Sequence, residues 1–183
     1  MLKRLNNYKK ITQCRLCNSK KIKKIYDFGY IPLGNDLQKN RIRSIQCKKY
    51  PLVLMQCSKC SHFQISISVR PKVLYAKNYT YLTGVTKTFK NHFFNYSKWI
   101  IKKCKIKKGS LILDIGSNDG TCLQYFKNNK MKVFGIDPAK KPCDIANKKG
   151  IKTINNFFNK KISSQIKKKY GQFDFITSHN VLA

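Results

Sequence analysis

Leu111-Ile112-Leu113-Asp114-Ile115-Gly116-Ser117-Asn118-Asp119-Gly120-Thr121 decides how this chain is read. An apolar strand pattern over 111–115 runs into a turn with two glycines, and a helical pattern follows over 120–129. A glycine-bearing turn at the carboxyl end of a strand lets the backbone approach a ligand closely. Gly116 and Gly120 do not have the G-x-G-x-x-G spacing of a dinucleotide site, so a turn built to cradle a pyrophosphate is not indicated. S-adenosyl-L-methionine carries no pyrophosphate and needs no such turn.

Downstream, strand and helix patterns alternate: strand 132–136, helix 139–149, strand 151–154, helix 159–169 and strand 173–177. That alternation predicts α/β architecture with a parallel sheet and right-handed crossovers. The second strand ends in Gly135-Ile136-Asp137-Pro138. A carboxylate at that strand end can accept hydrogen bonds from ribose hydroxyls. Alone, Asp137 would serve equally as a helix N-cap, and the two glycines as a tight turn. Together, and in this order, Asp114, Gly116, Ser117, Asn118, Asp119, Gly120, Asp137 and Pro138 form a candidate cofactor site. Asp114 is expected near the methionyl amino group, and the turn near the carboxylate and sulfonium. Asn155, Asn156 and Phe157 follow the third strand, where adenine often packs.

Upstream lies a different kind of sequence. The chain has 183 residues and eight cysteines, and two pairs stand out: Cys14-Arg15-Leu16-Cys17 and Cys57-Ser58-Lys59-Cys60. Each pair can put two thiolates on one turn, and two such turns supply the four soft ligands that tetrahedral zinc prefers. Four thiolates leave no open position for water, so the expected Zn2+ is structural. His62 is an alternative ligand, Cys47 reads as a bystander, and Cys104, Cys122 and Cys143 as buried small apolar residues. Short strands are expected at 50–56 and 63–69, and a loop at 27–35, where Gly and Pro recur. Apolar residues at helical spacing predict a helix over 87–104.

The charge is lopsided, with 39 Lys+Arg against 7 Asp+Glu and a formal net charge of +32. Only five of the basic residues are arginine, the side chain that does most bidentate base and phosphate recognition. The lysines are spread along the whole chain, so weak attraction to polyanions is expected and specific nucleic-acid recognition is not. No glutamate occurs, and Asp114, Asp119 and Asp137 all fall in the nucleotide-site pattern. No apolar run reaches the roughly 18 residues of a membrane span. The N-terminus lacks the apolar core of a secretory signal, so a cytoplasmic protein with no membrane partner is expected.

Asp114-Ile115-Gly116-Ser117-Asn118-Asp119-Gly120-Thr121 resembles the E/D-I-G-S-N-D-G-T signature of the sugar C-methyltransferases, and Gly135 to Ala139 is similar to their second motif. Cys14-x-x-Cys17, Tyr50-Pro51-Leu52, Cys57-x-x-Cys60, Asn78-Tyr79-Thr80-Tyr81, Gly150-Ile151-x-Thr153 with Phe157-Phe158, and Asn180-Val181-Leu182-Ala183 fall in that family's order. The resemblance implies a zinc-binding module (1–75), a connector and helix (76–108), and a partial Rossmann-like class I methyltransferase sheet (109–183), truncated after its fourth strand. It implies methyl transfer from S-adenosylmethionine to a carbon of a nucleotide-linked deoxysugar. Tyr81 and Tyr79 match a segment that lines the family's active site, with Tyr81 favoured. The family's Tyr-x-x-His-type base cluster lies beyond Ala183, so the expectation is an N-terminal portion whose activity alone stays open. His92 reads as structural, and His179 as a residue near the pocket. Two other readings stay open: a zinc-ribbon nucleic-acid-binding protein, and a non-catalytic cofactor-binding remnant. The oligomeric state is not legible.

Overall fold

A computed structural model describes residues 7–76 and 79–181. The chain divides into two compact units, Met1–Tyr79 and Thr80–Ala183. Asn78, Leu182 and Ala183, which belong to motifs quoted above, lie outside the described residues.

The first unit is built from antiparallel strands. Strands β1 (Tyr8–Lys10) and β2 (Ile22–Pro32) precede a short helix, α1 (Arg41–Gln46), and strand β3 (Lys49–Cys57) follows it. Next come β4 (Phe63–Ile65) and β5 (Ile67–Val69). One sheet has the order β2-β3-β4, and β1 pairs with β5 in a second. The expected strand at 63–69 is therefore two strands. Ser66 separates them and donates its N–H to Val53 O (3.0 Å), so β4 stays on β3 while β5 turns to β1.

The loop expected at 27–35 is corrected in its first half, because β2 runs through to Pro32. Gly29 (φ +75°) marks an irregularity of register between Asp27 and Tyr30 rather than a chain reversal. The Asp27 carboxylate accepts the Gly29 N–H at 2.9 Å and holds it.

In the second unit a short 3-10 turn (Thr83–Val85) precedes helix α2 (Lys87–Lys103), which is capped by the Thr86 hydroxyl accepting the Phe89 N–H. There follow β6 (Leu111–Ile115), α3 (Thr121–Asn128), β7 (Lys132–Asp137), α4 (Lys140–Lys148), β8 (Thr153–Asn155), α5 (Lys160–Tyr170) and β9 (Phe175–Ser178). The four strands are parallel in the order β8-β7-β6-β9. The first and fourth strands of this sheet are neighbours, so the strand order reverses between β6 and β9. Ligands of open α/β sheets bind outside the strand ends at such a point.

Alternation along β6 decides what each face buries. Ile112 packs with Phe93, Ile100, Leu123, Phe126 and Met131 under α2 and α3. Leu113 and Ile115 pack with Phe134, Ile136 and Ile166 on the other face. The third strand starts at Thr153, two residues later than expected. Gly150 (φ +72°) and Ile151 close the end of α4, with Ile151 N–H bonded to Ala146 O at 3.0 Å. Ile151 is spent in the core as the helix stop. Cys122 and Cys143 are buried as expected. Cys104 is exposed, against expectation, because α2 ends at Lys103 and leaves it on the cap outside the last packed turn.

Candidate functional site

In the first unit the four cysteines converge. The Sγ atoms of Cys14, Cys17, Cys57 and Cys60 all lie within 4.8 Å of one another. Cys14 to Cys60 and Cys17 to Cys57 are both 3.6 Å. That is far too long for a disulfide. It is close to the edge, about 3.8 Å, of a tetrahedron with Zn–S of about 2.3 Å. The residues therefore fit zinc, and four sulfurs complete the coordination.

The two turns that carry the sulfurs are the same structure twice. Asn18 N–H bonds to Cys14 O (3.0 Å), and Ser61 N–H to Cys57 O (2.9 Å). Cys14 N–H bonds to Ser19 O and Cys57 N–H to His62 O. Asn18 (φ +58°) and Ser61 (φ +59°), each just after the second cysteine, take the left-handed conformation that aims backbone N–H groups at the sulfurs. Burial pushes the Cys57 thiol up, but the N–H groups of Cys60 and Lys59 and the nearby thiols outweigh it and hold it down to about 6. The Cys14 thiol is also lowered, chiefly by the Cys17 N–H. The His62 N–H pulls the Cys60 thiol down, but Cys17, burial, Cys14 and Cys57 outweigh it and push it up to about 12. Among the four sulfurs alone, two thiols thus lean toward thiolate and one away from it.

Gln64, absent from the sequence reading, clamps the first turn. Its Oε1 accepts the Arg15 N–H (2.9 Å) and its Nε2 donates to Gln13 O (3.1 Å). A glutamine in a predicted strand carries no signal that would have singled it out. His62 contributes its carbonyl rather than its ring to the Cys57 turn, and Cys47 lies outside the four-sulfur group.

In the second unit the turn after β6 gathers most of the candidate cofactor residues. Asp114, Ser117, Asn118, Asp119 and Asp137 are all buried. Asp137 closes β7 beside it and accepts two backbone N–H bonds, from Ala139 (2.8 Å) and Asn118 (2.9 Å). Burial raises its pKa, and those two N–H groups offset only part of the effect. The helix-cap role and the bridge to the neighbouring turn thus coexist in one carboxylate. Pro138, half-buried, follows it.

Two glycines make the turn possible. Gly116 and Gly120 both have φ +75°. A Cβ on Gly116 would collide with Val181 Cγ2. One on Gly120 would lie 2.8 Å from Ile151 Cδ1. Gly135 on β7 matters for another reason, since a Cβ there would run into the Ser117 hydroxyl. Ser117 Oγ is buried with no hydrogen-bond partner among the described residues, an orphaned polar atom in the turn itself.

Asn118 and Asp119 act on a loop that the sequence did not connect to the turn. Asn118 accepts the Thr83 N–H (2.9 Å) and donates to Tyr81 O (3.0 Å). Asp119 accepts the Gly84 N–H (3.1 Å), caps α3 through Thr121, and pairs with Lys149 at 3.3 Å. These bonds seat residues 81–84 against the turn. Tyr81 is exposed at 44%, with its ring edge-on to Phe89. Tyr79 falls in the first unit, in ring contact with Tyr75. Asn155 and Asn156 bond to Asp137 O beside the same strand end. His92 is exposed and stacks on Tyr96.

Residues 14–75 match the family model described as "Putative zinc binding domain", and residues 97–179 the one described as "FtsJ-like methyltransferase". The chain is 25% identical over 161 residues to C-methyltransferase NovU of Streptomyces niveus. That alignment takes in 88% of this chain and 38% of the relative, so the chain spans under two fifths of the relative's length. Magnesium protoporphyrin IX methyltransferase (ChlM) from Synechocystis PCC 6803, solved with bound SAM, is 16% identical with a TM-score of 0.40. It overlaps 51% of this chain and 45% of its own. Plantazolicin methyltransferase BpumL, solved in complex with SAH, is 24% identical with a TM-score of 0.34, over 50% of this chain and 34% of its own. The chain thus carries a zinc-binding-type module followed by a methyltransferase-type α/β domain. Among the described residues no helix is long and apolar enough to cross a membrane.

Proposed function

We propose that this chain supplies the zinc module and the cofactor half of an S-adenosylmethionine-dependent C-methyltransferase. One observation carries the reading: a two-glycine turn at the reversal of strand order, flanked by the buried carboxylates Asp114 and Asp137 at adjacent strand ends. S-adenosylmethionine, when bound, would supply an electrophilic methyl group to a carbon beside a keto group that has lost its proton to a base, the S–CH3 bond breaking to leave S-adenosylhomocysteine. Asp137, whose two oxygens each accept one backbone N–H, has lone pairs left for ribose hydroxyls. Asp114 would lie near the cationic amino group and the 116–120 turn near the carboxylate, with the N–H groups of Gly116, Ser117, Asn118 and Gly120 already spent on Ile136 O, Asp137 Oδ2 and Ser117 O. Ser117 Oγ, orphaned beside Gly135, is a ready partner for a cofactor oxygen.

The acceptor we propose is a nucleotide-linked deoxysugar. The matched relative is named a C-methyltransferase, and the signature and cysteine spacing support the same class. Tyr81 is the better candidate to meet that substrate, because Asn118 holds its backbone against the cofactor turn. Tyr79 is the second candidate. Structural zinc ties the first module together without taking part in the chemistry.

The test is calorimetric titration of S-adenosylhomocysteine into the wild-type protein and Asp137→Ala, with zinc content measured on both. The expected outcome is binding that weakens at least tenfold in the variant while zinc stays at one equivalent. Equal affinity would remove Asp137 from the site, and no binding by either protein would refute the cofactor assignment.

A further inference from the structure

Asp114 and His179 face each other with unmet hydrogen-bonding capacity. The Asp114 carboxylate is buried and, among the described residues, accepts one hydrogen bond, from the Thr177 hydroxyl at 2.7 Å. An ionised carboxylate offers about four lone-pair sites, so this one has acceptor capacity left. His179 Nδ1 lies 3.8 Å from Asp114 Oδ1, is itself buried, and has no partner among the described residues.

The imidazole is not free to look elsewhere. Its plane is held by two edge contacts from α2, with Phe93 (centroids 5.1 Å apart, 85°) and Tyr96 (4.9 Å, 86°). Cys122 of α3 completes the cluster, its ligand atom within 4.8 Å of those of Asp114 and His179. Burial and the Asp114 charge both push the Cys122 thiol up, so it stays neutral and brings no competing charge. Asn180, with φ +56°, turns the chain away immediately after His179.

We propose that His179 is a positioning residue for the amino-acid end of the cofactor. Its Nδ1–H closes about 1 Å onto Asp114 Oδ1 to hydrogen-bonding distance. With Thr177 it then fixes the carboxylate, leaving the other oxygen to receive the ammonium group. The ligand class is an α-amino acid joined to adenosine, and the inference rests on the cofactor reading above.

Two ligands separate positioning from packing. S-adenosylhomocysteine has the amino-acid end, and 5′-methylthioadenosine keeps the adenosine but lacks it. Calorimetric titration of the whole protein should show His179→Ala weakening S-adenosylhomocysteine about tenfold or more, as expected for a hydrogen bond to a charged group. Its affinity for methylthioadenosine should stay within about twofold, which also reports that the pocket is folded. His179→Asn, which keeps a short N–H donor, should recover most of the loss. Equal losses for both ligands would overturn the proposal, as would no loss for either or no rescue by asparagine. Wild-type protein that binds neither ligand would instead refute the cofactor assignment, and this inference with it.

Discussion

Replacing Gly120 by alanine should destabilise the second unit by about 1–4.6 kcal/mol, from two separate terms less the roughly 0.4–1 kcal/mol that any such change gains through the unfolded chain. The backbone at Gly120 has φ +75°, and holding an L-residue in that left-handed region costs roughly 1–2 kcal/mol. The added Cβ would also sit 2.8 Å from Ile151 Cδ1 and 3.2 Å from Ala146 Cβ. Neither can yield, since Ile151 and Ala146 are both fully buried at 0% exposure. Overpacking of that kind costs typically ~1–3 kcal/mol. Gly109 is the matched control, with φ +84° and no atom within 4 Å of its would-be Cβ. Gly109→Ala should lose only the conformational term, reduced by roughly 0.4–1 kcal/mol through the unfolded chain. Urea unfolding followed by Trp99 fluorescence is the assay. Trp99 is the single tryptophan and lies on α2, so it reports the second unit alone. Two variants destabilised equally would refute the packing argument, and would mean that the turn relaxes away from Ile151 at little cost.

Two further outcomes test the rest. Cys17→Ser should drop bound zinc well below one equivalent and unfold the first unit, because site binding energy of about 10–16 kcal/mol is folding energy in such modules. Retention of a full equivalent, measured with a colorimetric chelator, would contradict the four-sulfur site. Asp137 should titrate above the ordinary 3.8, since burial outweighs its two backbone N–H bonds. A raised carboxyl pKa means that its contribution to stability is complete in acid, below 3.8, and is lost as pH rises through the raised value. Carboxyl carbon NMR shifts against pH measure this directly, and a midpoint at or below 3.8 would overturn the account.

Much of this was legible in the chain because the signals are local. A C-x-x-C pair chooses its own turn, and each pair is followed by a residue, Asn18 or Ser61, that takes the left-handed conformation such a turn requires. The alternation of strand and helix patterns from Leu111 to Ser178 dictated a parallel sheet, since parallel strands need a crossover between them. The position of Gly116 and Gly120 after an apolar strand marked the turn at its mouth.

Other features were beyond reach because they depend on residues far apart in sequence meeting in space. Gly29 in β2 reads as a turn, yet pairing with β3 makes it a bulge. Ile151 has a strand-forming side chain, yet the core claims it as the stop of α4. Asn118 and Asp119 read as ligand residues in a motif, and packing also bonds them to residues 81–84, more than thirty positions upstream. His179 and Asp114 were each visible alone. Only the pairing of β6 with β9 and the edges of Phe93 and Tyr96 set that imidazole against that carboxylate. The sequence by itself determined the local chemistry, namely the thiolate pairs, the permissive glycines and the strand-end carboxylates, because those depend on residue type and spacing. The tertiary structure alone decided which of those groups are already satisfied and which are left with a bond to give, because that depends on what burial places opposite each one.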